Sequence, residues 1–216
     1  MKVNGDYAAD GYAHVEGLIP PEVAEAFLRQ LKADLPQATQ QFHTHAPILK
    51  RTAIDIYARD YPPMLQFLWG LTPAMRELTQ REVLPTYNYF RIYRQGDICR
   101  VHSDRPACEH SLSLTLGYSD ALAWPFEVGR GPISAPGNIE DGFGAELYAA
   151  IAMQPGDAVL YRGVEHRHGR IQPNPNRWSA HMFLHYVDRD GPHAAEAFDA
   201  VAGETSAPAA KVDFDL

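Results

Sequence analysis

Cysteine is scarce: the chain of 216 residues holds only Cys99 and Cys108, with eight residues between them. Such a pair supports neither a disulfide framework nor a cysteine-built zinc site, so both thiols read as reduced and structural. Long apolar runs are missing as well. No stretch approaches a bilayer span, and the first residues, MKVNGDYAADGYAH, lack the apolar core of a secretory signal. The expectation is a cytoplasmic protein without a membrane segment. Positive charge is in deficit, with 19 Lys and Arg against 27 Asp and Glu and a formal net charge of −8. That balance opposes the phosphate attraction on which nucleic-acid binding depends, so a nucleic-acid partner is disfavoured. No internal repeat and no linker-like stretch breaks the chain.

What is present suits one domain over residues 1–216, since 45% hydrophobic and 21% charged residues are ordinary for a globular protein of this length. The first 85 or so residues carry a strand in GYAHVEGLIP and a helical pattern in PPEVAEAFLRQLKADLP, where a proline pair suits the first turn. Residues 36–62 are mixed and polar. A second helical pattern follows in PPMLQFLWGLTPAMRELTQREVLP, with Leu65, Leu68, Leu71, Met75 and Leu78 available for one face and Pro73 placed to interrupt it. From about residue 86 to 190 the character changes to aromatic and β-branched runs broken by Gly, Pro and Asp: YNYFRIYR, ICRVHSD, HSLSLTLGYSD, AWPFEV, AELYAAIAM, DAVLYRG and RWSAHMFLHYVD. Short strands at this spacing predict a mainly β sandwich or barrel. The Gly- and Pro-rich stretch GRGPISAPGNIEDGFG, residues 129–144, reads as a long loop within that series, and the tail at 200–216, poor in large apolar residues, reads as loose.

Within RVHSDRPACEH, residues 100–110, His102 and Asp104 lie two apart. On a strand such a pair shares one face, which suits two ligands of one ion. Downstream, GDAVLYRGVEHRHGRIQPNPNRWS offers a third ligand from either His166 or His168. With either one, two histidines and a carboxylate make a three-residue ligand face that leaves positions open, the pattern of non-haem iron(II) oxygenases.

The whole pattern, His-X-Asp, a distant histidine and Arg177 nine residues after His168, resembles the iron(II)/2-oxoglutarate-dependent dioxygenases, in particular their prolyl-4-hydroxylase-like branch. The run HGRIQPNPNR, with its Gln172-Pro173 pair, is similar to the corresponding segment of those hydroxylases, as are GYAHVEGLIPPEVAEAFL, FRIYRQGD and MQPGDAVLY. The resemblance implies a double-stranded β-helix, the cupin-like jelly-roll barrel, in an α+β but mainly β chain with N-terminal helices packed on the major sheet. It implies His102, Asp104 and His168 as metal ligands, with His166 as the alternative third. Fe(II), 2-oxoglutarate and O2 are the implied cofactors, with ascorbate as a stimulating reductant. Arg177 is the implied partner of the far carboxylate of 2-oxoglutarate, since a guanidinium can meet a carboxylate with two parallel hydrogen bonds. Tyr93, nine residues before His102, is implied as a further cosubstrate contact, and Ser179 and His181 share the face of Arg177. Alternation along HSLSLTLGYSD sets Leu112, Leu114 and Leu116 outward and Ser113, Thr115 and Gly117 inward, which gives Thr115 a place in the same pocket and leaves it without a tyrosine there.

The implied activity is hydroxylation of an unactivated C–H bond in an amino acid, peptide or small metabolite, with release of succinate and CO2. The competing reading is a non-catalytic cupin-type barrel that binds a metal or small carboxylate. His43 and His45 lack the surrounding pattern and read as surface polarity, His110 and His185 as satisfied core histidines, and Trp124 as packing. The stretches 129–144 and 36–53 are the expected specificity elements, because binding residues concentrate on loops carried by rigid scaffolds.

Overall fold

A computed structural model of the protein describes residues 1–35 and 42–199. The tail at 200–216 and residues 36–41 of the expected specificity segment lie outside it. The strands are β1 (Lys2–Asn4), β2 (Tyr12–Glu16), β3 (His43–Thr44), β4 (Ala53–Tyr57), β5 (Val83–Arg94), β6 (Cys99–His102), β7 (His110–Tyr118), β8 (Phe126–Gly129), β9 (Tyr148–Ile151), β10 (Ala158–Tyr161), β11 (His168–Arg170) and β12 (Trp178–Asp188). The helices are α1 (Tyr7–Asp10), α2 (Pro21–Asp34), α3 (Leu65–Gly70) and α4 (Thr72–Thr79). They form an eight-stranded sheet in the order β1-β2-β10-β7-β12-β5-β4-β3 and a four-stranded sheet β6-β11-β8-β9, antiparallel at every pairing. Two antiparallel sheets with a few helices are the jelly-roll arrangement expected from the sequence.

Strand alternation builds two cores on the two faces of the larger sheet. On the outer face Leu112, Leu114 and Leu116 of β7, Met182 and Leu184 of β12 and Phe90 of β5 pack with Phe27 and Leu31 of α2, Leu68 of α3 and Met75 of α4. Phe27 meets Phe67 and Phe90 edge-on, at ring-centroid distances of 5.0 and 6.0 Å. Pro73 sits at the start of α4, so the second helical pattern divides at Leu71, as its position predicts. Leu65 departs from the predicted apolar face and is 39% exposed.

The inner face is unlike a hydrophobic core. Ser111, Ser113 and Thr115 of β7, Ser179, His181 and His185 of β12 and Arg91 of β5 are all buried there. One departure from strict alternation matters: a bulge between Ala180 and His181 shifts the register, pairing Ala180 with Gly117 but His181 with Thr115. Gly117 therefore faces Leu28 of α2 rather than the interior, and Tyr118 joins the inner cluster of Tyr93, Trp124 and Phe183. The inward tyrosine that simple alternation denies this strand is present one residue later.

Strands β4 and β11 were not expected. The first lies in the polar segment but pairs with β5 from Ile54↔Ile92 to Tyr57↔Tyr89. The second is three residues, His-Gly-Arg, with no strand-forming composition, held by pairing on both sides with β6 and β8. Among the described residues no helix is long and apolar enough to cross a membrane.

Glu127 of β8 is 2% exposed and accepts a hydrogen bond from the Ile171 backbone N–H at 3.2 Å. Burial, against the pull of that bond and of the Arg170 charge, pushes its carboxyl up to about 7 from 4.5. A pKa raised on folding contributes stability in full below 4.5 that is lost as pH climbs through 7, at most about 3 kcal/mol. Glu127→Gln keeps the acceptor and removes the ionisation. Its melting temperature is expected to exceed that of the wild type at pH 8 and to match it at pH 4, as scanning calorimetry at the two pH values checks.

Candidate metal centre

His102 ends β6 and His168 opens β11, and the two face each other as a cross-strand pair with ring centroids 4.5 Å apart. Asp104 lies just beyond β6, where its backbone N–H donates to the Gly163 carbonyl at 2.8 Å. That bond turns its side chain back between the two rings: Oδ1 is 3.5 Å from His102 Nε2 and Oδ2 is 3.3 Å from His168 Nε2. Close approach here needs glycine at 163, because a Cβ would come within 2.6 Å of Asp104 Oδ2 and of the Cys108 carbonyl.

Each imidazole is oriented by its own strand. The His102 Nδ1–H donates to the Arg100 carbonyl at 2.7 Å, and the His168 Nδ1–H to the His166 carbonyl at 2.9 Å. A carbonyl only accepts, so these bonds fix the tautomer and leave each Nε2 as the free donor atom. Burial works against the charge of Asp104, but His168 and His102 beside it hold the carboxyl well below the usual carboxylate range. The same carboxylate raises the pKa of His168 in spite of burial. Asp104 Oδ2 is buried and has no hydrogen-bond donor among the described residues. One ligand atom from each of the three residues lies within 4.8 Å of the others. Two imidazole nitrogens and a carboxylate oxygen converging in this way fit a divalent first-row ion.

His166 is placed elsewhere. It lies in the turn before β11, with its N–H bonded to the Arg162 carbonyl, so the continuous strand that would put it beside His168 does not exist. Its ring is buried, donating to the Gly129 carbonyl at 2.9 Å and packed where a Cβ on Gly11 would be. Arg177 is also outside: its side chain is 74% exposed and pairs with Asp120 at 3.3 Å, held at the surface by its own N–H bond to the same carboxylate. The expectation that it reaches the pocket is corrected on this ground.

A cavity of about 30 Å³, room for roughly two waters, opens beside these three residues. Tyr93 lines it, with its hydroxyl 3.4 Å from Arg91 Nη1. Thr115, Ser179 and His181 are buried but do not line it. Thr115 and His181 are neighbours at 3.3 Å, and Ser179 donates to Asn174 at 2.7 Å. Ile48 of the 36–53 segment is on the wall, whereas no residue of 129–144 is. The latter loop is pinned by Arg167 to Glu140 and by a backbone bridge of Glu140 to Val101.

Arg170, Arg91, Tyr87, Tyr89 and His185 line the cavity without having been singled out as site residues. Arg170 was legible in principle, two residues after His168 and so on its face of a strand. His185 donates or accepts through Nδ1 with Ser111 Oγ at 2.7 Å, its Nε2 has no partner, and burial depresses its pKa to about 4. His110 is satisfied by Tyr7 at 2.6 Å and Asp188 at 3.1 Å, side chains rather than backbone. His43 and His45 bond only to Arg94 and Thr52 near the surface.

No protein-family model matches the sequence, and no curated protein sequence does. Solved structures do match. The non-haem α-ketoglutarate-dependent carbocyclase SnoK from nogalamycin biosynthesis aligns at TM-score 0.66 and 10% identity over 86% of this chain and 82% of its own. HygX from Streptomyces hygroscopicus, with nickel and 2-oxoglutarate bound, aligns at 0.61 and 12% over 84% of each chain. A Pseudomonas putida prolyl-4-hydroxylase aligns at 0.56 and 15%, over 85% of this chain and 96% of its own. At these identities the likeness establishes a shared fold.

The placement of the two histidines separates their variants. His168→Ala is expected to lose bound iron, whereas His166→Ala is expected to keep it and to unfold about 1–3 kcal/mol more easily, having lost a buried hydrogen bond and its packing. Metal content by emission spectrometry and urea unfolding on both variants decide it. An iron-free His166 variant beside an iron-replete His168 variant reverses the assignment.

Proposed function

We propose that the chain is an iron(II)- and 2-oxoglutarate-dependent oxygenase that hydroxylates an unactivated C–H bond of an amino acid, peptide or small metabolite. The observation that carries this reading is the convergence of His102, Asp104 and His168 on one cavity, within the fold shared by the enzymes named above. His102 and His168 would hold the ion through Nε2 and Asp104 through one oxygen, a three-residue face that would leave positions for a chelating cosubstrate and oxygen. Bound there, iron with 2-oxoglutarate and oxygen supplies an oxidant that takes hydrogen from a nearby C–H bond as succinate and CO2 are released. The protein's own part is placement and dryness. The Arg100 and His166 carbonyls keep both rings in the ligating tautomer, and Phe126, Tyr161, Tyr89 and Phe183 wall the cavity against water.

The rival, a cupin-type barrel that binds metal or a small carboxylate without turnover, draws on the cavity itself. At about 30 Å³ the cavity as it stands has room for roughly two waters beside the three residues. The two readings differ in solution. With ferrous iron and ascorbate, the wild type is expected to convert 2-oxoglutarate to succinate slowly even without substrate. Asp104→Ala, which removes the sole carboxylate ligand, is expected to lower that rate at least about 100-fold along with its iron content. Succinate formation at the wild-type rate by the variant sinks the ligand assignment, and a wild type that takes up iron yet forms no succinate favours the binding barrel.

A further inference from the structure

We propose that Arg170, in place of Arg177, holds the far carboxylate of the dicarboxylate cosubstrate, an inference that rests on the 2-oxoglutarate reading above. Arg170 is 1% exposed and lies on β11 two residues beyond His168, and across a register shift in the pairing with β6 both residues line the same cavity. Its guanidinium sits 4.9 Å from the Trp124 ring centroid and 5.5 Å from that of Phe126, and Phe126 in turn stacks on His168. One cavity wall therefore runs from the metal ligands to this charge.

The bonding of Arg170 is incomplete in a particular way. Nη1 donates to the Trp124 carbonyl at 2.5 Å, and Nη2 to His181 Nδ1 at 3.2 Å with Ser113 Oγ at 3.5 Å. Among the described residues Nε is buried without a partner. Every one of these acceptors is neutral, since burial, together with the charges of Arg170 and Arg91, depresses the pKa of His181 far below its usual value. Among the described residues no carboxylate forms an ion pair with Arg170, and Glu127 is bonded to the Ile171 N–H instead. A buried guanidinium left without an anion is costly, so the site is built to receive one.

Arg91, the other arginine in the cavity wall, lacks that capacity. Its Nε and Nη2 close on the two oxygens of Asp55 at 2.6 Å each, so its charge is already neutralised within the fold. Asp104, the acid in the same wall, stands between His102 and His168 and is assigned to the metal. What remains is one cation in the cavity wall with no ion-pair partner among the described residues. A ligand that chelates through a keto acid and carries a second carboxylate at its far end spans the two.

The test uses protein loaded with manganese(II), which binds keto acids without turnover, and calorimetric titration with 2-oxoglutarate and with 2-oxobutyrate, which lacks the far carboxylate. The wild type is expected to prefer 2-oxoglutarate by roughly 10- to 100-fold, the worth of charge-assisted hydrogen bonds to one carboxylate. Arg170→Gln is expected to erase that preference while keeping its affinity for manganese and for 2-oxobutyrate, and Arg177→Gln to leave the preference intact. A preference retained in Arg170→Gln, or lost in Arg177→Gln, overturns the inference. If Arg170→Gln does not fold by circular dichroism, Arg170→Lys takes its place. It keeps a charge but not the planar fork, and an undiminished preference there is likewise contrary. A wild type that binds neither keto acid points to failure of the cosubstrate reading itself, which is a different result from a wild type whose preference ignores Arg170.

Discussion

The cross-strand pair of His102 and His168 is the contact on which the candidate site depends. Two imidazoles from strands far apart in sequence face each other because β11 is hydrogen-bonded between β6 and β8, and Asp104 is then drawn between them by its own backbone bond to Gly163. The smaller sheet is thus the chassis of the ligand set. The larger sheet contributes the opposite wall, with Tyr87, Tyr89, Arg91 and Tyr93 from β5 and Phe183 and His185 from β12.

Burying this much polarity is expensive, and the interior shows where the cost is met. Arg91 is matched by Asp55, Ser179 and Asn176 are tied to Asn174, and the hydroxyl of Tyr87 lies 3.2 Å from Cys108 Sγ. Among the described residues, four of the ten buried polar atoms left without a partner belong to the cavity region, Asp104 Oδ2, Arg170 Nε and His185 Nε2 on residues of its wall and His181 Nε2 beside Arg170, while the others, Arg100 Nε and Arg167 Nε among them, lie elsewhere. Unpartnered buried polar atoms are rare in folded proteins, and a cluster of them marks a place where the fold leaves bonding capacity for something else. The outer face of the same sheet, packed by Leu112, Leu114, Met182 and Leu184 against the helices, supplies the apolar burial that makes such an interior tolerable.

Much of this was legible along the chain. The period-two runs of β5, β7, β10 and β12, the helical pattern of α2 and the interruption at Pro73 depend on local spacing, and local spacing is written directly in residue order. The outward set of Leu112, Leu114 and Leu116 follows from it, whereas the His-X-Asp pair was visible only as a motif: the strand ends at His102, and Asp104 is aimed by its bond to Gly163 instead of by alternation. The first misreading came where a β-bulge broke the alternation, turning Gly117 toward α2 and Tyr118 inward, since one extra residue reverses every face beyond it.

The larger misreading concerned Arg177. A distance of nine residues from His168 described a path along the chain but not the turn that the path takes. Asn174 and Asn176 fold that turn onto Ser179 and Leu122, and Asp120 holds Arg177 at the surface. Arg170, by contrast, stays inside because β11 is paired on both edges, although His-Gly-Arg has no intrinsic strand preference. Residue order by itself determined the alternating faces, the helix limits and the identity of the ligand types. Only the tertiary structure placed His168 beside His102 and Asp104 with His166 apart from them, and Arg170 in the cavity wall with Arg177 at the surface, because those placements rest on hydrogen bonds between segments distant in the chain, which no local period encodes.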